Sequence, residues 1–148
     1  MNILELVKQI TPLIAQKLMT NPTVFGQPER VKISPNVCPN NTLFNVSSGD
    51  IMIEDDVCFG HNICILTGTH DIQKKGRARI NAYPRTGRDV VVRKGVWLSS
   101  NVTVLGPCEI GENAVIAAGS LVIGDIKANC VYAGSPAKFI KEIEFDDE

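Results

Sequence analysis

Histidine is nearly absent: His61 and His70 are the only two in 148 residues, and Trp97 is the single tryptophan. A zinc site built from three imidazoles is excluded by that count. The five cysteines (Cys38, Cys58, Cys64, Cys108, Cys130) are an odd number with no CxxC pair. This argues against both a disulfide framework and a cysteine zinc site, and fits reduced thiols in a cytoplasmic protein; no metal is expected. Neither sign of charge dominates, with 15 basic and 16 acidic residues. The chain therefore has no global attraction for nucleic acid or an anionic membrane surface. A long apolar run is also missing. Lys8, Gln9 and Pro12 interrupt the N-terminal apolar residues, which form neither a signal peptide nor a membrane span.

What the chain does have is a beat of six. An aliphatic residue returns at Val92, Leu98, Val104, Ile110, Ile116 and Val122, each followed four places on by Val96, Val102, Cys108, Ala114, Ser120 and Ile126. Turn formers stand between them: Gly95, Asn101, Pro107, Asn113, Gly119 and Asp125. A period of six matches no helix and no hairpin ladder. It predicts a mainly β, prism-shaped solenoid in which each hexad is a short strand plus a corner and three hexads close a coil. The same beat runs less cleanly through Ile33–Val37 and Pro39–Leu43, slips around Asn45–Asp50, and resumes at Ile53–Val57, Phe59–Ile63 and Ile65–Thr69. Roughly four to five coils are expected in a single domain.

Residues 71–89 break the beat for too long to be a corner and are read as an extruded loop. Asn2 with Glu5 resembles a capping box, so residues 3–19 should form one kinked helix or two short ones within an N-terminal segment, 1–22, that caps the solenoid. The solenoid itself is placed at 31–134. Ser135-Pro136 looks like the start of a short C-terminal helix through Ile143, followed by an acidic tail to Glu148.

His70 stands where the repeat breaks, at the lip of the loop, and a proton acceptor working near neutral pH is best made from histidine. His61 lies inside a regular hexad and reads as an ordinary corner residue. The loop carries Lys74, Lys75, Arg77, Arg79, Arg85 and Arg88, which suit either an anionic ligand or plain solvation. Trp97 points outward by hexad phase, a position that favours an interface or a ligand.

Val96-Trp97-Leu98, the run Ile110–Ser120 and Ala133-Gly134-Ser135-Pro136-Ala137-Lys138-Phe139-Ile140 together resemble the hexapeptide-repeat acyltransferases. Within them the chain is similar to the sugar O-acetyltransferases of the galactoside and maltose branch, over residues 31–143. The resemblance implies a left-handed parallel β-helix, a homotrimer, acetyl-CoA as acyl donor in clefts between prisms, and a saccharide acceptor. It assigns His70 as general base, Asn45 to the acceptor pocket and Trp97 to the meeting point of donor thioester and acceptor. Ser100 and Ala118 would line the pantetheine arm, and Lys138 and Lys141 would meet the phosphates of CoA. As residues of a helix, these two lysines would share one face. The family's frequent Thr-Lys after the last aliphatic hexad is Ile123-Gly124 here.

The implied mechanism is direct transfer, with His70 deprotonating an acceptor hydroxyl as it attacks the thioester. A cysteine nucleophile is the competing route. Competing functions are an N-acyltransferase acting on an amino sugar, a xenobiotic acetyltransferase, and, in a different class, a catalytically silent assembly subunit.

Overall fold

The computed structural model describes residues 2–146, so the last two positions of the acidic tail, Asp147 and Glu148, lie outside it. The six-beat becomes a left-handed parallel β-helix with three faces. Face A stacks β1 (Thr23–Phe25), β3 (Leu43–Asn45), β6 (Cys64–Leu66), β9 (Thr103–Leu105) and β12 (Leu121–Ile123). Face B stacks β2 (Val31–Ile33), β4 (Ile51–Ile53), β7 (Val90–Val92) and β10 (Cys108–Ile110). Face C stacks β5 (Cys58–Phe59), β8 (Trp97–Leu98), β11 (Val115–Ile116) and β13 (Cys130–Gly134), closed by β14 (Ala137–Glu142). Each coil runs from A to B to C.

All twelve aliphatic and small residues of the regular stretch point inward and are buried, from Val92 to Ile126. Successive coils there are three hexads apart: Val90 pairs with Cys108, Trp97 with Val115, and Thr103 with Leu121. Alternation of one inward and one outward side chain along each short strand produces this core. Gly95, Asn101, Asn113 and Gly119 take positive φ at their corners, as turn formers must.

The register departs from the sequence expectation in three places. Leu43 is 37% exposed, and Phe44 fills the core instead. Asn40 bonds to the carbonyls of Phe59 and Gly60, whereas Asn41 bonds to Asn62, so the second coil already slips at its Asn40–Asn41 corner. Ile126 pairs with Ile110, which shortens the last coil by two residues across Gly124–Asp125.

The third departure is the C-terminal element, which is a strand and not a helix. β14 folds back antiparallel on β13, pairing Gly134 with Ala137 and Cys130 with Glu142. Gly134 takes φ +104° to enter the turn, and the last parallel strand gains a partner for its open edge. Pairing of backbone groups across a whole strand outweighs the helix-start signal of Ser135-Pro136.

At the other end, α1 (Ile3–Thr20) is one continuous helix, with the Asn2 side chain accepting from the Glu5 N–H at 2.8 Å. Pro12 lies inside it. None of its residues is buried, so within a single chain it does not cover the solenoid end as expected. Its apolar positions, Ile3, Leu6, Val7, Ile10, Leu13, Ile14 and Leu18, are all exposed. The first coil is instead opened by β1 and the short 3-10 turn Pro28–Arg30. Among the described residues no helix is long and apolar enough to cross a membrane.

Candidate active site

The edge between faces A and B is where the prism is least regular. From Val104 to Cys108 the chain turns it tightly. From Phe44 to Ile51, whose places in the ladders are equivalent, it takes a longer path through Val46, Ser48 and Gly49, all buried. In the next coil the same edge releases the whole segment between β6 and β7, including a short helix, α2 (Gly76–Asn81). Two consecutive coils are thus expanded at one edge, and the space they enclose is a hollow of about 410 Å³. It is lined by Phe25, Asn45, Ser47, Gly68, Thr69, His70 and Tyr83.

His70 is held there by the loop it opens. Its Nδ1 lies 2.9 Å from the backbone carbonyl of Arg79, at the C-terminal end of α2. A carbonyl oxygen only accepts, so Nδ1 carries the proton and Nε2 is the basic nitrogen of the neutral ring. Tyr83 packs edge-on against the imidazole with centroids 5.8 Å apart. The loop is tied back at Asp71, whose N–H donates to the Ala82 carbonyl at 2.8 Å.

Asn45, at the end of β3, accepts the Ser47 N–H on Oδ1 at 3.0 Å and the Ser47 hydroxyl on the same oxygen. This fixes the amide so that its Nδ2–H groups remain as donors to the hollow. Buried Thr67 locks the strand end, its hydroxyl donating to the Asn45 carbonyl at 2.9 Å and accepting the Ser48 N–H at 3.1 Å. Gly68 leaves room for them: a Cβ there would stand 2.9 Å from Ser47 Oγ and 3.0 Å from the Asn45 amide and would press on both side chains.

The basic loop divides on inspection. Arg79 spends its guanidinium on the carbonyls of Lys74 and Ile72, and Arg88 on those of Thr67 and Gly106. Both are structural clamps. Lys74, Lys75 and Arg77 are exposed, and Arg85 lies over the Tyr83 ring at 5.3 Å.

Trp97 is elsewhere, half-exposed on the outer side of face C. One outward row there runs Cys58, Trp97, Val115, Val131, Lys141. With a strand in place of a helix, the lysines come to share a face by a different route. A register shift in the β13–β14 ladder lets Lys138 oppose Ala133 and Lys141 oppose Val131, both on outward rows. Trp97 and Lys141 border an open hollow of about 840 Å³ together with Val115, Val131, Glu142, Ile143 and Glu144. Ser100 and Ala118 occupy equivalent corners of successive coils beyond this face; Ser100 Oγ accepts the His61 N–H at 3.0 Å, and Ala118 is exposed. The His70 and Trp97 hollows share no residue. One chain therefore brings His70 together with Asn45, and Trp97 with Lys141, but does not join the two pairs.

Sequence reasoning did not single out Tyr83, Phe25, Ser47, Thr67 or the Arg79 carbonyl. Thr67 and Ser47 stand beside residues that were singled out, and only their proximity to the break signalled them. The carbonyl of Arg79 has no sequence signature.

Residues 89–124 match the family model described as bacterial transferase hexapeptide (six repeats). The galactoside O-acetyltransferase of Lactococcus lactis is 32% identical over 97% of this chain and 69% of the relative, and that of Escherichia coli is 30% identical over 97% and 70%. A solved galactoside acetyltransferase in complex with coenzyme A superposes with a TM-score of 0.75 at 28% identity, covering 84% of this chain and 61% of that one. The chain thus spans about two thirds of the length of these proteins. Repeat, register and a similarity that runs through nearly all of this chain agree: the chain belongs to the hexapeptide-repeat acetyltransferases, beside the galactoside O-acetyltransferases.

Proposed function

We propose that the protein transfers an acetyl group from acetyl-CoA to a hydroxyl of a saccharide acceptor, with His70 as general base and no covalent enzyme intermediate. The observation that carries this reading is the His70 ring, anchored through Nδ1 to a backbone carbonyl and left with Nε2 as its base, beside a hollow whose mainly apolar wall is interrupted by Asn45, Ser47 and Thr69. Acetyl-CoA supplies an activated thioester. Its fit is supported by the open hollow beside Trp97 and by Lys138 and Lys141, cations on the same outer face. Ser100 and Ala118 present small side chains along the neighbouring edge, where an extended arm can lie against backbone.

Nε2 accepts the proton of the acceptor hydroxyl as that oxygen attacks, and returns it to the leaving thiol. The Arg79 carbonyl at the end of α2 stabilises the imidazolium formed meanwhile, through its hydrogen bond and its partial negative charge. The Asn45 amide donates to the acceptor and holds its oxygen in place. Positioning of two substrates in one cleft supplies much of the acceleration. Direct transfer is supported by the lining of the His70 hollow, which includes no cysteine among the described residues. Cys108 is further disfavoured as a nucleophile because burial, with Asp125 and Glu109 nearby, pushes its thiol up to about 12.

Separation of the two hollows supports an assembly in which the His70 edge of one copy meets the Trp97 face of another. We assign it as a homotrimer, closed by threefold symmetry. The apolar side of α1 fits the same assembly. Its only charged residues are Glu5, Lys8 and Lys17, unlike the strongly basic face of a membrane-binding helix, which favours other copies of this chain as its partner. Five unpaired cysteines support a reducing, cytoplasmic setting.

The test is thiol release from acetyl-CoA with matched panels of saccharides, amino sugars and non-saccharide alcohols. Acetylation of saccharide hydroxyls that disappears in His70→Ala is expected. Preference for amines redirects the acceptor, and no turnover with any acceptor leaves an assembly subunit.

A further inference from the structure

The hollow beside His70 does not end at Tyr83. A second space of about 770 Å³ opens on its far side and shares Phe25, Ser47 and Tyr83 with it, so the two form one groove along the inner side of the loop. Each volume lies in the range of small-ligand sites. Phe25, 64% exposed, and Tyr83 offer aromatic surface at the junction, suited to the C–H face of a sugar ring.

Beyond them the polar groups fall into two kinds. Arg30 is committed: its guanidinium pairs with Asp50 at 2.5 Å and donates to the Val46 carbonyl at 2.7 Å. Asp89 receives only the Asp50 N–H, at 2.8 Å, and Arg85 has no carboxylate partner among the described residues. Arg85 instead rests over the Tyr83 ring, which holds its planar donors at the wall of the groove. One uncommitted cation and one uncommitted carboxylate leave this stretch near neutral. A ligand rich in hydroxyls suits it better than a strongly anionic one, because hydroxyls both donate to Asp89 and accept from Arg85.

The geometry points to a second saccharide subsite: the acceptor has at least two sugar units, the first acetylated at His70 and the second held beyond Tyr83 by Arg85 and Asp89. This rests on the saccharide reading of the His70 hollow. It also gives the basic loop a specific task through one residue, Arg85, while Arg79 and Arg88 fold it.

The experiment compares steady-state acetylation of one-ring acceptors with their two-ring counterparts, methyl galactoside against lactose and methyl glucoside against maltose, in wild type and Arg85→Ala. The expected result is kcat/KM at least about tenfold higher for the two-ring member of the preferred pair, mostly through KM, and a ratio falling toward one in Arg85→Ala. Arg85 is exposed, and a thermal melt confirms that the variant is folded. Equal efficiency for one and two rings in wild type overturns the subsite while leaving the acetyltransferase reading intact. A two-ring advantage that survives Arg85→Ala places the second unit elsewhere and also overturns it. Acetylation of amines or simple alcohols with no saccharide turned over overturns the functional reading, and the subsite with it.

Discussion

The same edge of the prism is built in two ways. In the fourth coil, Val104 leads to Cys108 through one tight corner, and the fifth is shorter still, with Ile126 pulled back to pair with Ile110. In the first three coils that edge is expanded by Gly26–Arg30, by Val46–Asp50 and by the loop reaching Asp89. The tight part is almost featureless chemically. The expanded part holds the His70 hollow and the groove that continues from it. A solenoid core fixes where each coil passes but leaves corner length comparatively free, because an expanded corner adds few apolar side chains to the packed interior, here Val46 alone between Asn45 and Asp50. Extra residues there are accommodated by the scaffold and become available for chemistry.

That contrast is open to attack. The largest effect expected is His70→Ala, which should lower kcat by roughly 10²–10⁴ with little change in thermal stability. Parallel rate and melting measurements check it; His61→Ala, at an ordinary corner, should be near neutral in both. The complement is Ile116→Ala in the regular coils, where the side chain is fully buried. It should cost about 2–5 kcal/mol in denaturant unfolding, while the folded fraction keeps its acceptor KM. If Ile116→Ala instead altered acceptor KM selectively, the division between scaffold and site would fail.

Next comes the double variant Lys138→Ala with Lys141→Ala. Donor KM should rise on the order of tenfold with kcat much less affected, since phosphate contacts remote from the carbonyl hold ground and transition states alike. The wild-type donor KM should also rise with added salt, and the variant's less so. Gly68→Ala should be milder: its Cβ presses on the Asn45 amide, so acceptor KM increases several-fold while the melting temperature barely moves. The smallest effect concerns alkaline stability. The Cys108 thiol is raised in the folded protein, so its contribution is intact below the ordinary thiol range near 9 and fades as pH climbs toward 12. Wild type should lose stability across that window more steeply than Cys108→Val, as followed by thermal melts.

Most of the fold was legible because the core repeats. Val92, Leu98, Val104, Ile110, Ile116 and Val122 recur without exception, and every one is buried. Legibility fell wherever the register changes without a loss of apolar residues. Leu43 and Phe44 are both apolar, and only pairing with the coil below shows which faces inward. Ser135-Pro136 suggested a helix because local signals know nothing of the unpaired edge that β13 presents. In the candidate site, His70 was visible as a residue type at a break in the repeat, and Asn45 only through the family resemblance. Their settings were not: the orientation of His70 depends on a main-chain carbonyl nine residues away, and that of Asn45 on Ser47 and Thr67. Lys138 and Lys141 reach one face by a shifted strand register, an outcome that helical spacing suggested for a different reason.

The hairpin made by β13 and β14 also limits how far the protein can grow. A parallel stack of coils has an end that is chemically identical to its interior, and any further strand of any copy can continue it. On face C, β14 reverses direction, shifts register partway and carries Lys138, Lys141 and Glu142, so the end of that face offers no flat parallel template. The turn at Gly134 thus closes the growing edge of that one face. A protein shortened to end there would expose the bare edge of β13 and should self-associate more than the protein that keeps β14, as followed by light scattering.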